Sequence, residues 1–357
     1  MRMMKGKLLT QRGALALAAA WGLMLSGCGG VNSSLNSVGP QAARIEKLWW
    51  LMFYVCSAVF VLVMIALFVS VIRARQDTAT RVEIPATDEP ELKPEPERER
   101  RMTRVVVGAT AVTVLIIFVF LVASFFTGRA ISSPLYAPQN VLTIEVTGHQ
   151  WWWEVRYDDA TPSRMFTTAN EIHVPVGQPV LLQMTSRDVI HSFWAPNIHG
   201  KKDLIPGKSS TLYIEVDHPG MYRGQCAEFC GHQHANMGFY IIAESPEDFN
   251  RWRDSQAQPA VSPVTDSQKR GQQVFLTSTC VMCHTIRGTL AAATEAPDLT
   301  HFASRQTFAA GTLPNTRGHL AGWVVDSQSI KPGNHMPPNS LESDDLMALL
   351  DYLENLK

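Results

Sequence analysis

The densest set of soft donor atoms in the chain lies in twelve residues, Cys226-Ala-Glu-Phe-Cys230-Gly-His-Gln-His234-Ala-Asn-Met237, which supply two thiols, two imidazoles and a thioether. His191, 35 positions before Cys226, adds a further imidazole. Thiolate and thioether sulfur combined with imidazole is the ligand set that favours copper, and methionine as a weak axial donor marks electron-transfer copper sites. Two cysteines four apart in a loop can bridge two metal ions, each also held by one histidine. An electron delocalised over such a pair changes the geometry little on redox cycling, so transfer is fast. A zinc site of His191, Cys226, Cys230 and His234 has no need of Met237. A Cys226–Cys230 disulfide leaves His191, His234 and Met237 without a shared purpose.

A second constellation, Cys280-Val-Met-Cys283-His284, is the C-x-x-C-H pattern of covalent haem attachment. Both thiols form thioethers to the porphyrin vinyl groups, and the adjacent His284 is placed as the proximal iron ligand. A bare C-x-x-C would also suit zinc or a redox disulfide; the following histidine, a flanking helix and export decide for haem. The second axial ligand is expected later in the chain. Met336 in Pro332-Gly-Asn-His-Met336-Pro-Pro is the best candidate and His335 its competitor. A Met/His pair raises the haem potential, which suits an electron carrier. His301 and His319 have no compelling partner in the sequence and read as surface or packing residues.

The elements that must carry these groups are legible in the remaining pattern. At 357 residues the chain is long enough for two or three domains. Its 31 Lys+Arg against 32 Asp+Glu give no basic face and exclude nucleic acid as a partner. Charged residues are only 18% of the chain, so apolar residues are concentrated somewhere. Residues 1–27 have basic residues before an apolar run and end at Leu25-Ser26-Gly27-Cys28, an export signal excluded from the fold. Its end resembles a bacterial lipobox, in which Cys28 would be acylated; the alternative is ordinary cleavage nearby, with Cys28 a bystander. After an external segment, 28–47, come two charge-free runs, 48–72 and 105–127, each long enough to span a bilayer. Trp49, Trp50 and Tyr54 fit an interfacial aromatic belt, and Cys56 is expected to serve packing. Basic flanks place the loop 73–104 in the cytoplasm, where its prolines and charges suggest an extended connector, and both termini outside. From Val141 the pattern is of short strands, Val141–Thr147, Val180–Thr185, Leu212–Val216 and Phe239–Ala243, punctuated by Pro and Gly. They predict an all-β copper domain over 132–252, a linker over 253–266, and a small helical domain over 267–357 with helices at Ser267–Thr277 and Leu341–Leu356.

The copper constellation resembles the binuclear copper (CuA) loop of cytochrome c oxidase subunit II, with the spacing of all five side-chain ligands. The resemblance implies that Cys226 and Cys230 bridge two copper ions, that His191 and His234 are terminal ligands, that Met237 is a weak ligand, and that Glu228 contributes its backbone carbonyl. It also implies that the Glu228 carboxylate reaches a magnesium or manganese ion at the boundary with subunit I. Gly148-His-Gln-Trp151-Trp152-Trp153 looks like the aromatic segment of that family, whose first tryptophan, here Trp151, receives electrons near the copper. Lys201-Lys202-Asp203-Leu204-Ile205-Pro206-Gly207 resembles another family segment and makes Asp203 a candidate for the interface with subunit I. The tail resembles class I cytochromes c. That likeness favours Met336 over His335 as the sixth ligand and implies that the Pro297 carbonyl orients His284, although Ala296 replaces the usual glycine.

The implied architecture is a multidomain membrane protein: a two-helix transmembrane hairpin, an all-β cupredoxin-like barrel and an all-α cytochrome c domain. The implied function is the electron-input subunit of a cytochrome c oxidase in a bacterial cytoplasmic membrane, with both metal domains on the periplasmic or external side. Cytochrome c would be the donor and subunit I, with subunit III, the partners; oxygen reduction would occur in subunit I. The alternatives are the electron-input subunit of a copper-containing nitric oxide reductase, and a membrane-tethered copper-delivery protein with labile single-copper binding.

Overall fold

The computed structural model describes residues 32–78, 96–132 and 141–357; the export signal, Cys28 and the middle of the interhelical loop lie outside the described residues. The chain divides into two compact units, one of Arg44–Leu135 and the other of the remaining residues.

The first unit consists of helices from α1 (Pro40–Thr78) and α2 (Pro96–Ser132). Both outrun the charge-free segments. Arg98, Arg100, Arg101 and Arg104, expected in an extended connector, lie in the first turns of α2, where Pro96 opens the helix and Glu97 and Glu99 favour the positive end of its dipole. The apolar side chains face outward: Phe60, Leu62, Phe68, Leu115 and Leu121 are all more than 60% exposed. Water would not tolerate such a surface, whereas lipid would. The aromatic belt is ordered, with Trp49 stacked on Phe53 and Trp50 on Tyr54. The Arg44 guanidinium donates to the Ala130 carbonyl at 2.6 Å, tying the start of α1 to the end of α2.

In the second unit, ten strands form two five-stranded sheets. These strands are β1 (Leu142–His149), β2 (Trp152–Tyr157), β3 (Phe166–Ala169), β4 (Glu171–Pro175), β5 (Val180–Ser186), β6 (His191–Trp194), β7 (Lys202–Leu204), β8 (Ser210–Ile214), β9 (Gly220–Cys226) and β10 (Gly238–Glu244). The sheet orders are β3-β2-β1-β5-β8 and β4-β10-β9-β6-β7, with β1–β5 and β4–β10 parallel and the other pairs antiparallel. Alternate residues of β1 and β2 point inward, placing Ile144, Val146, Trp153, Val155 and Tyr157 in the core between the sheets. Trp153 packs edge-on to Phe193 and Phe239, which join the two sheets beside the metal-ligand loop. Residues before the first helix belong to this β unit: Val38 N–H donates to the Asn197 carbonyl at 2.8 Å and Asp217 N–H to the Val38 carbonyl at 2.7 Å.

Helix α3 (Pro246–Gln256), capped by Ser245, covers the first residues of the expected linker. Beyond it, α4 (Asp266–Thr277) starts at a capping box made by Thr265 and Gln268. α4 packs against α7 (Ser343–Leu353), with α5 (Arg317–Val325) and α6 (Ser327–Ile330) between them in sequence. Phe275, Ile286, Phe302, Leu349 and Tyr352 form the core of this helical part, which also has a two-stranded hairpin of Thr307–Phe308 and Leu313–Pro314.

Candidate copper and haem sites

Strand β6 brings His191, and the end of β9 brings Cys226, to the same end of one sheet, where Phe193 pairs with Cys226. The following loop folds back through a short turn, His234–Asn236, into β10. His191 Nδ1 is 3.9 Å from Cys226 Sγ, which is 3.8 Å from Cys230 Sγ. Cys230 Sγ is in turn 3.6 Å from His234 Nδ1 and 3.7 Å from Met237 Sδ. The Glu228 carbonyl lies 3.2 Å from Cys226 Sγ. His191, Met237 and both thiols are buried.

Two sulfurs this close cannot both be thiolates unaided. The Cys230 hydrogen bond, and then that of His191, holds Cys226 well below the usual thiol range. The same contact with Cys226, and then burial, pushes Cys230 far above it. A cation between them removes the conflict, so the soft donor set fits copper.

The support around His191 was not foreseen from the sequence. Asp188 Oδ1 accepts from His191 Nε2 at 2.8 Å and from Val189 N–H at 2.6 Å, while Oδ2 accepts from Gln150 N–H at 2.6 Å. Burial raises the Asp188 pKa, but hydrogen bonds from His191, Val189 and Gln150 outweigh it and leave the carboxyl ionised. It therefore fixes the tautomer that turns Nδ1 toward the sulfurs. Gly148 is required opposite: a Cβ there would lie 2.7 Å from His191 Cδ2. An Asp188→Asn protein is expected to bind copper about tenfold more weakly in a chelator competition, with haem content unchanged. An unaltered affinity would remove Asp188 from this role.

Cys280, Cys283, His284, His335 and Met336 line one cavity of about 480 Å³, a size typical of cofactor sites. His284 is half-buried, and desolvation lowers its pKa; its Nδ1 donates to the Pro297 carbonyl at 2.7 Å. The neutral ring thus keeps Nε2 for a metal. The Met336 backbone is fixed on both sides: its N–H donates to Asn334 Oδ1 at 2.8 Å, and its carbonyl accepts from Ser327 Oγ at 2.6 Å and Gln328 Nε2 at 2.8 Å. Arg305, buried and lining the same cavity, has an Nε without a partner. An apolar cavity with two thiols, a neutral imidazole, a thioether and an unpaired buried guanidinium nitrogen fits an iron porphyrin bearing carboxylates. Of the two unassigned histidines, His319 is exposed. His301 is buried and bonded through both nitrogens, to the carbonyls of Lys357 at 2.8 Å and Gln258 at 3.0 Å, a partnership its sequence position did not reveal.

The two sites share a wall. Trp151 lines the haem cavity while its Nε1 donates to the Cys230 carbonyl at 2.9 Å, and its ring lies 6.2 Å from that of His335. The Glu171 carboxylate accepts from Gln306 N–H and Thr307 N–H, both at 2.9 Å. Gln233 Nε2 donates to the Pro332 carbonyl at 2.7 Å, and Gly238 N–H to the Ala310 carbonyl at 2.9 Å. Glu228 projects outward, 45% exposed and 3.9 Å from Lys201, and Asp203 accepts from Ser192 Oγ at 2.7 Å.

Comparison with known families gives a match in each of the two parts that contain these sites. Residues 159–245 match the family described as cytochrome c oxidase subunit II, periplasmic domain, and residues 268–357 match cytochrome c. The chain is 37% identical over 219 residues to cytochrome c oxidase subunit 2 of Alkalihalophilus pseudofirmus, covering 61% of this chain and 62% of that one. It is 31% identical over 230 residues to the same subunit of Bacillus subtilis, covering 61% and 63%. The chain thus spans less than two thirds of the length of these relatives. The periplasmic domain of subunit II (CoxB) of Bradyrhizobium japonicum is 32% identical, with a TM-score of 0.31, covering 34% of this chain and 96% of that structure. The matched domains imply copper in the β unit and haem in the helical part, on a chain with two helices able to anchor it in a membrane. The chain thus carries a periplasmic domain of cytochrome c oxidase subunit II over residues 159–245 and a cytochrome c domain over residues 268–357.

Proposed function

We propose that the chain is the electron-input subunit of a haem–copper oxidase, accepting electrons from a cytochrome c and delivering them through its own haem c and binuclear copper centre to haem in subunit I, where oxygen is reduced to water. The observation that carries this reading is Trp151, one side chain that both lines the haem cavity and hydrogen-bonds the copper-ligand loop. Bound copper and haem supply one-electron redox chemistry.

The protein's part is to hold the ligands still. Cys226 and Cys230 would hold the copper through their thiolates, His191 and His234 through their imidazoles, Met237 through its thioether and Glu228 through its backbone carbonyl. Cys280 and Cys283 would attach the haem, and His284 and Met336 would hold its iron. Burial of His191, Cys226, Cys230 and Met237 excludes water and limits reorganisation. The exposed Glu228 carboxylate is available to a magnesium or manganese ion shared with subunit I, beside the surface that contains Asp203. The two outward-facing helices embed in a bacterial cytoplasmic membrane, with Cys28 acylated and both metal domains on the outer side. Subunit III is the remaining expected neighbour.

The test is metal, haem and paramagnetic-resonance analysis of the detergent-solubilised protein together with its co-purifying subunits. Two coppers sharing one unpaired electron, one covalent haem, and cytochrome c-dependent oxygen consumption are expected. A complex that reduces nitric oxide and is silent towards oxygen would instead identify a nitric oxide reductase. A single labile copper would identify a copper-delivery protein, and zinc a structural site.

A further inference from the structure

Lys331 is only 3% exposed, and among the described residues its ammonium has no carboxylate partner. Its Nζ donates instead to three backbone carbonyls: Trp151 at 3.0 Å, Asn236 at 2.9 Å and Ala309 at 3.2 Å. An ammonium has three N–H groups, and here each has one acceptor. A charge is costly to bury unless every donor is satisfied, and a side chain placed this way holds its acceptors together. Trp151 and Asn236 belong to the β unit, where Asn236 precedes Met237. Ala309 and Lys331 itself belong to the haem part, and Lys331 starts the loop that leads to Met336.

We propose that Lys331 is the positioning residue that clamps the haem domain onto the copper domain, setting the spacing of the Met336 loop, Trp151 and the Met237 loop with one nitrogen. The clamp also keeps Trp151 covered, since the residue is 8% exposed in this arrangement. A soluble donor must therefore deliver its electron to the haem domain, and direct transfer through Trp151 is closed. Joined domains move relative to one another unless their interface holds them. The other hydrogen bonds here, such as those of Glu171, Gln233 and Gly238, involve backbone groups and no buried ammonium, so loss of the three charged hydrogen bonds should be felt at the amides around them. The proposal rests on the copper and haem reading for its electron-transfer consequence; the clamp itself does not.

The test compares Lys331→Met, close to lysine in length but without the ammonium, with the parent protein carrying both cofactors. Amide hydrogen exchange reads docking directly at Gln306 and Gly238, whose N–H groups bond across the interface. Exchange there should accelerate at least about tenfold, the equilibrium effect of losing one charge-assisted hydrogen bond. Amides in the core of each domain should keep their protection, and the copper and haem spectra should be unchanged. Haem-to-copper transfer after rapid reduction should become dependent on solvent viscosity, and direct reduction of copper by soluble cytochrome c should rise by a similar factor. Glu171→Gln, a weaker break in the same interface, should change the same amides in the same direction. Unchanged exchange in Lys331→Met overturns the clamp, as does faster exchange confined to one domain core or accompanied by altered copper or haem spectra. A parent protein without copper and haem would overturn the functional reading but leave the exchange comparison valid.

Discussion

Replacing Cys230 with serine should abolish the proposed binuclear copper centre while leaving the proposed haem attachment intact. Cys230 is the hub of the ligand set: its sulfur alone lies within 4 Å of Cys226 Sγ, His234 Nδ1 and Met237 Sδ. Removing it separates His191 and Cys226 from His234 and Met237, so no second ion can be held by a shared sulfur. A serine hydroxyl is hard and protonated at neutral pH and does not replace a soft bridging thiolate. The expected product binds one copper or none, its unpaired electron is confined to a single nucleus, and the proposed cytochrome c-dependent oxygen consumption falls to background. Copper analysis and paramagnetic resonance on the purified variant check this, with the haem spectrum as internal control. Retention of two coppers with a shared electron would remove Cys230 from the bridging role. The change should be milder at Met237, whose thioether can only modulate a site that the thiolates hold together.

The contrast between Cys230 and Lys331 shows what a sequence can and cannot disclose about such a protein. Cys226 to Met237 are local: a loop bends them together, and rare donor types within twelve residues are recognisable before any fold is known. Cys280, Cys283 and His284 are local for the same reason. His191 is 35 residues from Cys226, but as an imidazole it still has only a few plausible uses. Lys331 and Glu171 are ordinary charged residues, expected on a surface by type. Their partners are 180 and 135 positions away, at Trp151 and Gln306. Only the packing of two domains gives them a role. Asp188 was close to a ligand in sequence, yet its task depends on the turn that sends Gln150 N–H toward its second oxygen. The strands divided similarly. β1, β5, β8 and β10 announce themselves through β-branched or alternating residues, whereas β9, with Gly220 and Gly224, reads as a breaker-rich segment and is defined by pairing with β10. Val38 joined the β unit through backbone hydrogen bonds, which leave no mark on residue type.

Gly271→Ala should be the most destructive single-methyl change in the haem domain. Gly271 lies in α4 where the helix meets α7, and a Cβ on its backbone would stand 1.9 Å from the Ala348 carbonyl oxygen, 2.6 Å from its carbon and 2.8 Å from Tyr352 Cβ. The obstacles are mostly backbone of the facing helix, so no rotamer change relieves them; the helices must move apart. α4 also has a capping box and ends just before Cys280, so its displacement is transmitted to the haem-attachment turn. Against this, alanine favours a helix over glycine by about 1 kcal/mol. Overpacking of this kind costs about 1–3 kcal/mol and occasionally more, and the encroachment on backbone places Gly271→Ala at the upper end. A net loss of about 2 kcal/mol, at roughly 4–8 °C per kcal/mol for a domain of this size, lowers the melting temperature by roughly 8–16 °C. Thermal unfolding followed at the haem absorption band measures it, with the copper signal of the β unit unaffected at temperatures where the variant remains folded. A melting temperature within about 3 °C of the parent would mean that α4 and α7 can separate at little cost. The tight glycine crossing would then not be what fixes Cys280, Cys283 and His284 relative to Met336.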